Sequence, residues 1–111
     1  MTRFLVLYRS SVSARNQMAN ATPEQAKAGM EAWMTWAAKA GDAIVDLGSP
    51  LAPAAHVGPA SPGVDAEQLS GFSILQSESA DALTKVLDGH PHLGMEGSSI
   101  EVLEYLPIPG S

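Results

Sequence analysis

His90-Pro91-His92 is the stretch of this chain best suited to chemistry. Proline biases the residue before it toward an extended backbone, and side chains two apart on such a backbone project to the same side. Two imidazoles then converge on one point, where they can move a proton near neutral pH or supply two ligands of a metal site. A metal would need a third group, and His56, Glu31 and Asp46 are the available candidates. No spacing fixes that third ligand, so this reading carries no metal and no cofactor. The plainer alternative has one histidine capping the last carbonyls of the preceding helix while the other packs in the turn or is solvated.

Asp46 interrupts the apolar run Ala43-Ile44-Val45-Asp46-Leu47. An acid there must face a pocket or reach a partner, because burying an unpaired carboxylate is costly. In a pocket its pKa rises and it becomes a candidate base; at a strand end it accepts a hydrogen bond from the following turn instead. His90, His92 and Asp46 are thus the catalytic candidates.

Tyr8, Glu31, Met34 and His56 are the ligand-binding candidates. Tyr8 ends the first apolar run, where its hydroxyl can reach a pocket mouth or serve as the polar tip of a core residue. Glu31 falls on a polar helical arc, where an i,i+4 pair with Lys27 or Thr35 is the alternative. Met34, with Met30, Trp33 and Trp36, widens an apolar helix face beyond what one sheet contact needs. That face lines a ligand cavity, makes an oligomer contact or packs as core. Arg3 and Arg9 can hold an anionic group by bidentate contact or stay solvated. Glu101 and Glu104 lie on opposite parities of one strand, so they cannot act together on one side of a sheet. At least one should be an edge or outward charge that discourages aggregation.

Residues 3–9 carry apolar side chains on both parities, the pattern of a strand buried on both faces. Residues 10–21 are polar and small, without periodicity. Thr22-Pro23-Glu24-Gln25 offers a capping box with proline at the first helical position, and Gly41 ends the helix it opens. On that helix Ala26, Gly29, Met30, Trp33, Met34, Trp36, Ala37 and Ala40 share an arc of about 160°. Residues 43–47 form a second strand, closed by Gly48-Ser49-Pro50. Residues 50–69 hold four prolines and read as a long loop of the kind that often binds or lids a site. Residues 70–76 resume strand character. Ser79 then caps a second helix with Ala82, Leu83, Val86 and Leu87 as its buried stripe, and Gly89 marks its exit. After a turn at residues 90–97, residues 98–106 make the last strand.

The order is strand, helix, strand, strand, helix, strand, the ferredoxin-like βαββαβ arrangement. It predicts one α+β domain spanning residues 1–111, with a four-stranded antiparallel sheet and two helices on one face. Apolar residues on both parities of the outer runs require a cover for the other face, and a second copy pairing sheet to sheet is the simplest one. The alternative is that the long loop folds back over it. We therefore expect a homodimer, a dimeric α/β barrel.

The 111 residues are 45% hydrophobic and 16% charged, which suits one globular domain with a core. Six basic against twelve acidic residues give a formal charge of -6, the wrong sign for collecting phosphates, so nucleic acid and anionic membrane are poor partners. Without cysteine the chain has no disulfide, thiolate zinc site or cysteine nucleophile. The short apolar run at Phe4-Leu5-Val6-Leu7-Tyr8 leads us to expect a soluble, cytoplasmic protein.

Several segments, taken in order and spacing, resemble the YCII-related, DGPF-type proteins: Phe4-Leu5-Val6-Leu7-Tyr8-Arg9, Met30-Glu31-Ala32-Trp33 through Ala40-Gly41-Asp42-Ala43, and Val45-Asp46-Leu47-Gly48-Ser49-Pro50-Leu51. Leu69-Ser70-Gly71-Phe72-Ser73-Ile74-Leu75, Asp88-Gly89-His90-Pro91-His92-Leu93 and Ser99-Ile100-Glu101-Val102 continue the match. The resemblance implies a dimeric α/β barrel. It also implies an acid-base pair, a histidine on the first helix and an aspartate before a proline ahead of the last strand. Here the helix position falls near Met30, beside Glu31, and His90 stands before Pro91 where the aspartate would be. The tetrapeptide naming the DGPF branch is absent, the nearest text being Asp46-Leu47-Gly48-Ser49-Pro50-Leu51.

Two functions follow. The first is a small-molecule enzyme using histidine acid-base chemistry in a barrel cavity, of a hydrolase, isomerase or lyase type. The second is a non-catalytic dimer module that binds a small organic ligand or a partner protein.

Overall fold

Phe4, Val6 and Tyr8 alternate with Leu5 and Leu7 along β1 (Thr2–Arg9), and the two sets meet different surroundings. The first set is at most 2% exposed, whereas the second is only half-buried. The computed structural model, which describes residues 1–59 and 65–110, builds this contrast from α1 (Ala14–Asn20), α2 (Pro23–Ala40), β2 (Ile44–Pro50), β3 (Leu69–Ser77), α3 (Ala80–Leu87) and β4 (Ser99–Glu104). Strand order is β2-β3-β1-β4, every pair antiparallel. The chain is thus α+β, and the order is consistent with a ferredoxin-like fold.

The expected capping box starts α2: Gln25 N–H donates to Thr22 Oγ1 at 3.1 Å and Thr22 N–H to Gln25 Oε1 at 3.0 Å. Three helices are present where the sequence reading has two. The extra one, α1, is seven residues long, capped by Ser13, and buries only Ala14. With no apolar stripe it leaves no periodic trace in the sequence. β2 also runs past the expected stop, through Gly48-Ser49-Pro50. Gly48 makes this possible at φ 90, where a Cβ would overlap the Phe72 carbonyl, so the strand shifts register there without ending. Of the long loop, Ser61, Pro62 and Gly63 lie outside the described residues. Its end is a short 3-10 turn, Ala66–Gln68.

Phe4, Val6, Tyr8, Leu75, Trp36, Leu83 and Leu87 make the core, on the sheet face covered by α2 and α3. Leu5, Leu7, Phe72 and Ile74 occupy the other face as cross-strand pairs, Leu5 with Ile74 and Leu7 with Phe72. All four stay half-buried, and Leu103, opposite Leu5, is 48% exposed. The chain is a slab of 48 × 41 × 20 Å with a radius of gyration of 15.2 Å. A compact chain of this length would have about 13 Å. Among the described residues no helix is long and apolar enough to cross a membrane.

Candidate functional site

The turn after α3 positions both histidines. Ser79 caps that helix, Gly89 at φ 73 turns the chain out of it, and His90 N–H donates to the Leu87 carbonyl at 3.1 Å. His90 is extended, as Pro91 requires, but Pro91–Gly94 then winds into a 3-10 turn. The histidines therefore leave an extended backbone after one residue. His90 caps the new turn, its Nδ1 accepting the His92 backbone N–H at 3.0 Å. Both rings face inward, 2% and 8% exposed, so neither is solvated.

They meet on Tyr8, at the C-terminal end of β1. Ring centroids lie 5.0 Å from Tyr8 to His90 and 5.3 Å from Tyr8 to His92. α2 supplies the remaining walls: Trp36 is 4.3 Å from His90, and Trp33 is 4.5 Å from it, edge-on at 85°. Polar bonds tie Trp36, Tyr8 and His92 in turn. Trp36 Nε1 donates to the Val86 carbonyl at 3.0 Å. Ser73 Oγ donates to the Leu47 carbonyl at 2.6 Å, so its lone pair receives the Tyr8 hydroxyl at 2.9 Å. Burial pushes the Tyr8 hydroxyl pKa up, and the bond to Ser73 offsets part of this. His92 Nε2 lies 2.7 Å from the Arg9 carbonyl and 3.1 Å from the Ser99 carbonyl. Two acceptors require that nitrogen to carry hydrogen, and the ring staples β1 to β4.

His90 is tied at Nδ1 and left open at Nε2. Its Nδ1 is an acceptor, so the neutral ring carries its hydrogen on Nε2. That atom is sealed from water and is, among the described residues, the buried side-chain polar atom with no hydrogen-bond partner. Burial, and then the nearby His92 charge, lowers the His90 pKa to about 4, so the ring is neutral at pH 7. A buried unsatisfied donor costs about 1–3 kcal/mol, of which the flanking aromatic faces return only part. Such a group can stabilise a carbonyl oxygen or a developing oxyanion by donating to it.

No family model and no curated protein matches the chain. Among solved structures it is similar to 5-chloro-2-hydroxyhydroquinone dehydrochlorinase from Burkholderia phenoliruptrix AC1100, seen in complex with 2,5-dihydroxybenzoquinone. The identity is 19%, the TM-score 0.49, and the match covers 89% of this chain and 90% of that one. A likeness at that level assigns no residue role here.

The other sequence candidates lie apart from the cluster. Asp46 is exposed on the edge strand β2, where its Oδ1 accepts the Gly48 N–H at 2.8 Å, the turn-capping alternative. Glu31 is exposed, and its backbone carbonyl accepts the Thr35 hydroxyl at 2.9 Å. Met34 is 50% exposed on α2. His56 is exposed in the loop, with Nε2 3.1 Å from the Pro59 carbonyl. Among the described residues no three histidine or acidic side chains gather as metal ligands. Trp33, Trp36 and Ser73 also belong to the cluster; the sequence offers the two tryptophans only as part of an apolar helix face and does not single out Ser73. The helical arc carried the signal for the tryptophans, and inward parity beside Leu75 carried it for Ser73. Of two surface clefts, the one of about 520 Å³ runs along Trp36, Gly89 and Pro91 together with Lys39, Lys85 and Asp88, and the one of about 320 Å³ is lined by residues outside the cluster.

Proposed function

We propose that this protein works as a homodimer that binds a small organic molecule at the Tyr8–Trp33–His90 cluster and performs proton chemistry on it, with His90 at the centre. The observation that carries this reading is the unpartnered Nε2 of a histidine only 2% exposed. Native proteins satisfy nearly all such atoms, and a catalytic role is one of the recurring reasons for an exception. Trp33 is the half-buried wall of the cluster, with exposed Met30 and Met34 beside it on α2, and is the way in.

The dimer rests on the second sheet face. A row of Leu5, Leu7, Phe72, Ile74 and Leu103 on a slab 20 Å thick is apolar surface that a two-fold copy would cover. It agrees with the barrel that the YCII-type resemblance implies.

The second reading, a non-catalytic binding or assembly module, is favoured by the two carbonyls that fix His92, since a clamped ring serves structure as well as chemistry. Ligand-observed NMR with a library of small aromatic and alicyclic fragments separates the two. We expect hits whose binding perturbs Tyr8 and Trp33 and is lost in His90→Ala. Hits indifferent to that substitution, in a variant that still folds, would overturn the His90-centred site.

A further inference from the structure

We infer that His90 acts as a fixed, neutral hydrogen-bond donor through Nε2, and that its ligand is a planar, uncharged carbonyl compound. This rests on the small-molecule reading of the cluster and names the ligand class and the role.

The role follows from what occupies each nitrogen. The His92 backbone N–H points at His90 Nδ1 from 3.0 Å, so a hydrogen on Nδ1 would collide with it. The ring is therefore held as the Nε2–H form by a main-chain group within its own turn, whatever side chains do around it. A nitrogen that already bears hydrogen cannot take one from a substrate. His90 can only donate, which removes it as a base at this end and assigns it the electrophilic task of polarising an acceptor.

The ligand class follows from the walls. Tyr8, Trp33 and Trp36 surround the imidazole with ring faces and edges at centroid distances of 4.3 to 5.0 Å. The Tyr8 hydroxyl is spent on Ser73 and the Trp36 N–H on the Val86 carbonyl, whereas the N–H of half-exposed Trp33 has no hydrogen-bond partner among the described residues. No carboxylate or ammonium belongs to the cluster to balance a charged ligand. An ion entering there would lose its hydration without compensation. A flat molecule with one strong acceptor meets the aromatic faces and the one buried free donor together, the balance typical of small-ligand sites. It enters by displacing Trp33, which alone among the three rings is half-exposed and packs edge-on to His90.

The test uses 1-indanone, indane and 1-aminoindane, which share a skeleton and differ in acceptor and charge, titrated into the full chain with amide and imidazole NMR detection. We expect 1-indanone to shift Tyr8, Trp33, Trp36 and the His90 Nε2–H signal and to bind about ten-fold more tightly than indane. The 1-aminoindane cation should not bind. His90→Asn keeps an acceptor for the His92 N–H and removes the donor from the Nε2 position, its own amide N–H lying closer to the main chain, so it should bring 1-indanone down to the affinity of indane. Equal binding of 1-indanone and indane to the wild-type chain would overturn the donor role while leaving a site in the cluster. Binding of none of the three at those residues would overturn the site itself, and the donor role with it.

Discussion

Acid should weaken this fold through His90 more than through any exposed histidine. The neutral ring has its only lone pair on Nδ1, which accepts from the His92 N–H, so protonation places hydrogen against hydrogen in a position 2% exposed. An unfolded histidine titrates near 6.5, and burial with the His92 charge lowers the folded value to about 4. Between those values the unfolded chain binds the extra proton. The stabilisation is therefore fully present above pH 6.5 and is lost as pH falls toward the folded pKa of about 4. From about pH 7.5 to about pH 5 the shift amounts to about 2 kcal/mol, or about 1 kcal/mol once partial solvent screening is allowed for. The assay is urea denaturation at both pH values and one protein concentration, comparing wild type with His90→Asn. The wild-type chain should lose about 1–2 kcal/mol more than the variant, with m unchanged. Equal losses in the two proteins would refute the reasoning, because other titrating groups are common to both.

Gly48→Ala should lower stability by at least about 2 kcal/mol, since φ 90 and the Phe72 carbonyl both reject a Cβ; a thermal melt within a degree or two of wild type would contradict this. Ile74→Lys places a charge opposite Leu5 on the open sheet face. Sedimentation should show the wild-type chain at twice its own mass and the variant at one, and a wild-type monomer would dismiss the sheet-to-sheet pairing.

Much of the fold is legible in the sequence because its signals are local. The Thr22–Gln25 box and the parity of residues 4–8 each speak through neighbours a few positions away. α1 is silent because one buried alanine makes no period. β2 misleads because Gly48-Ser49-Pro50 spells a turn, whereas the glycine provides a register shift inside a longer strand. The site is harder to read. Proline correctly marks His90 as extended, but the turn that follows depends on a His90 side-chain cap that residue type alone does not announce. The cluster joins positions 8, 33, 36, 73, 90 and 92, and no spacing rule ties a strand residue to a tryptophan on α2 and a turn beyond α3. Asp46 is legible in one of its two readings: an edge strand leaves the carboxylate in water, where it accepts from the turn that follows.

The His92 staple has a mechanical consequence. β4 is an outer strand, held on one side only, and such strands detach by fraying from an end. At the Ser99 end a side-chain hydrogen is shared between the carbonyls of β4 and β1, so this end must break the staple as well as the ladder. Peeling therefore starts at Glu104 and runs back toward the turn. The Tyr105 N–H bond to the Arg3 carbonyl is the first that such peeling must break, and the histidine cluster sits at the hinge that opens last.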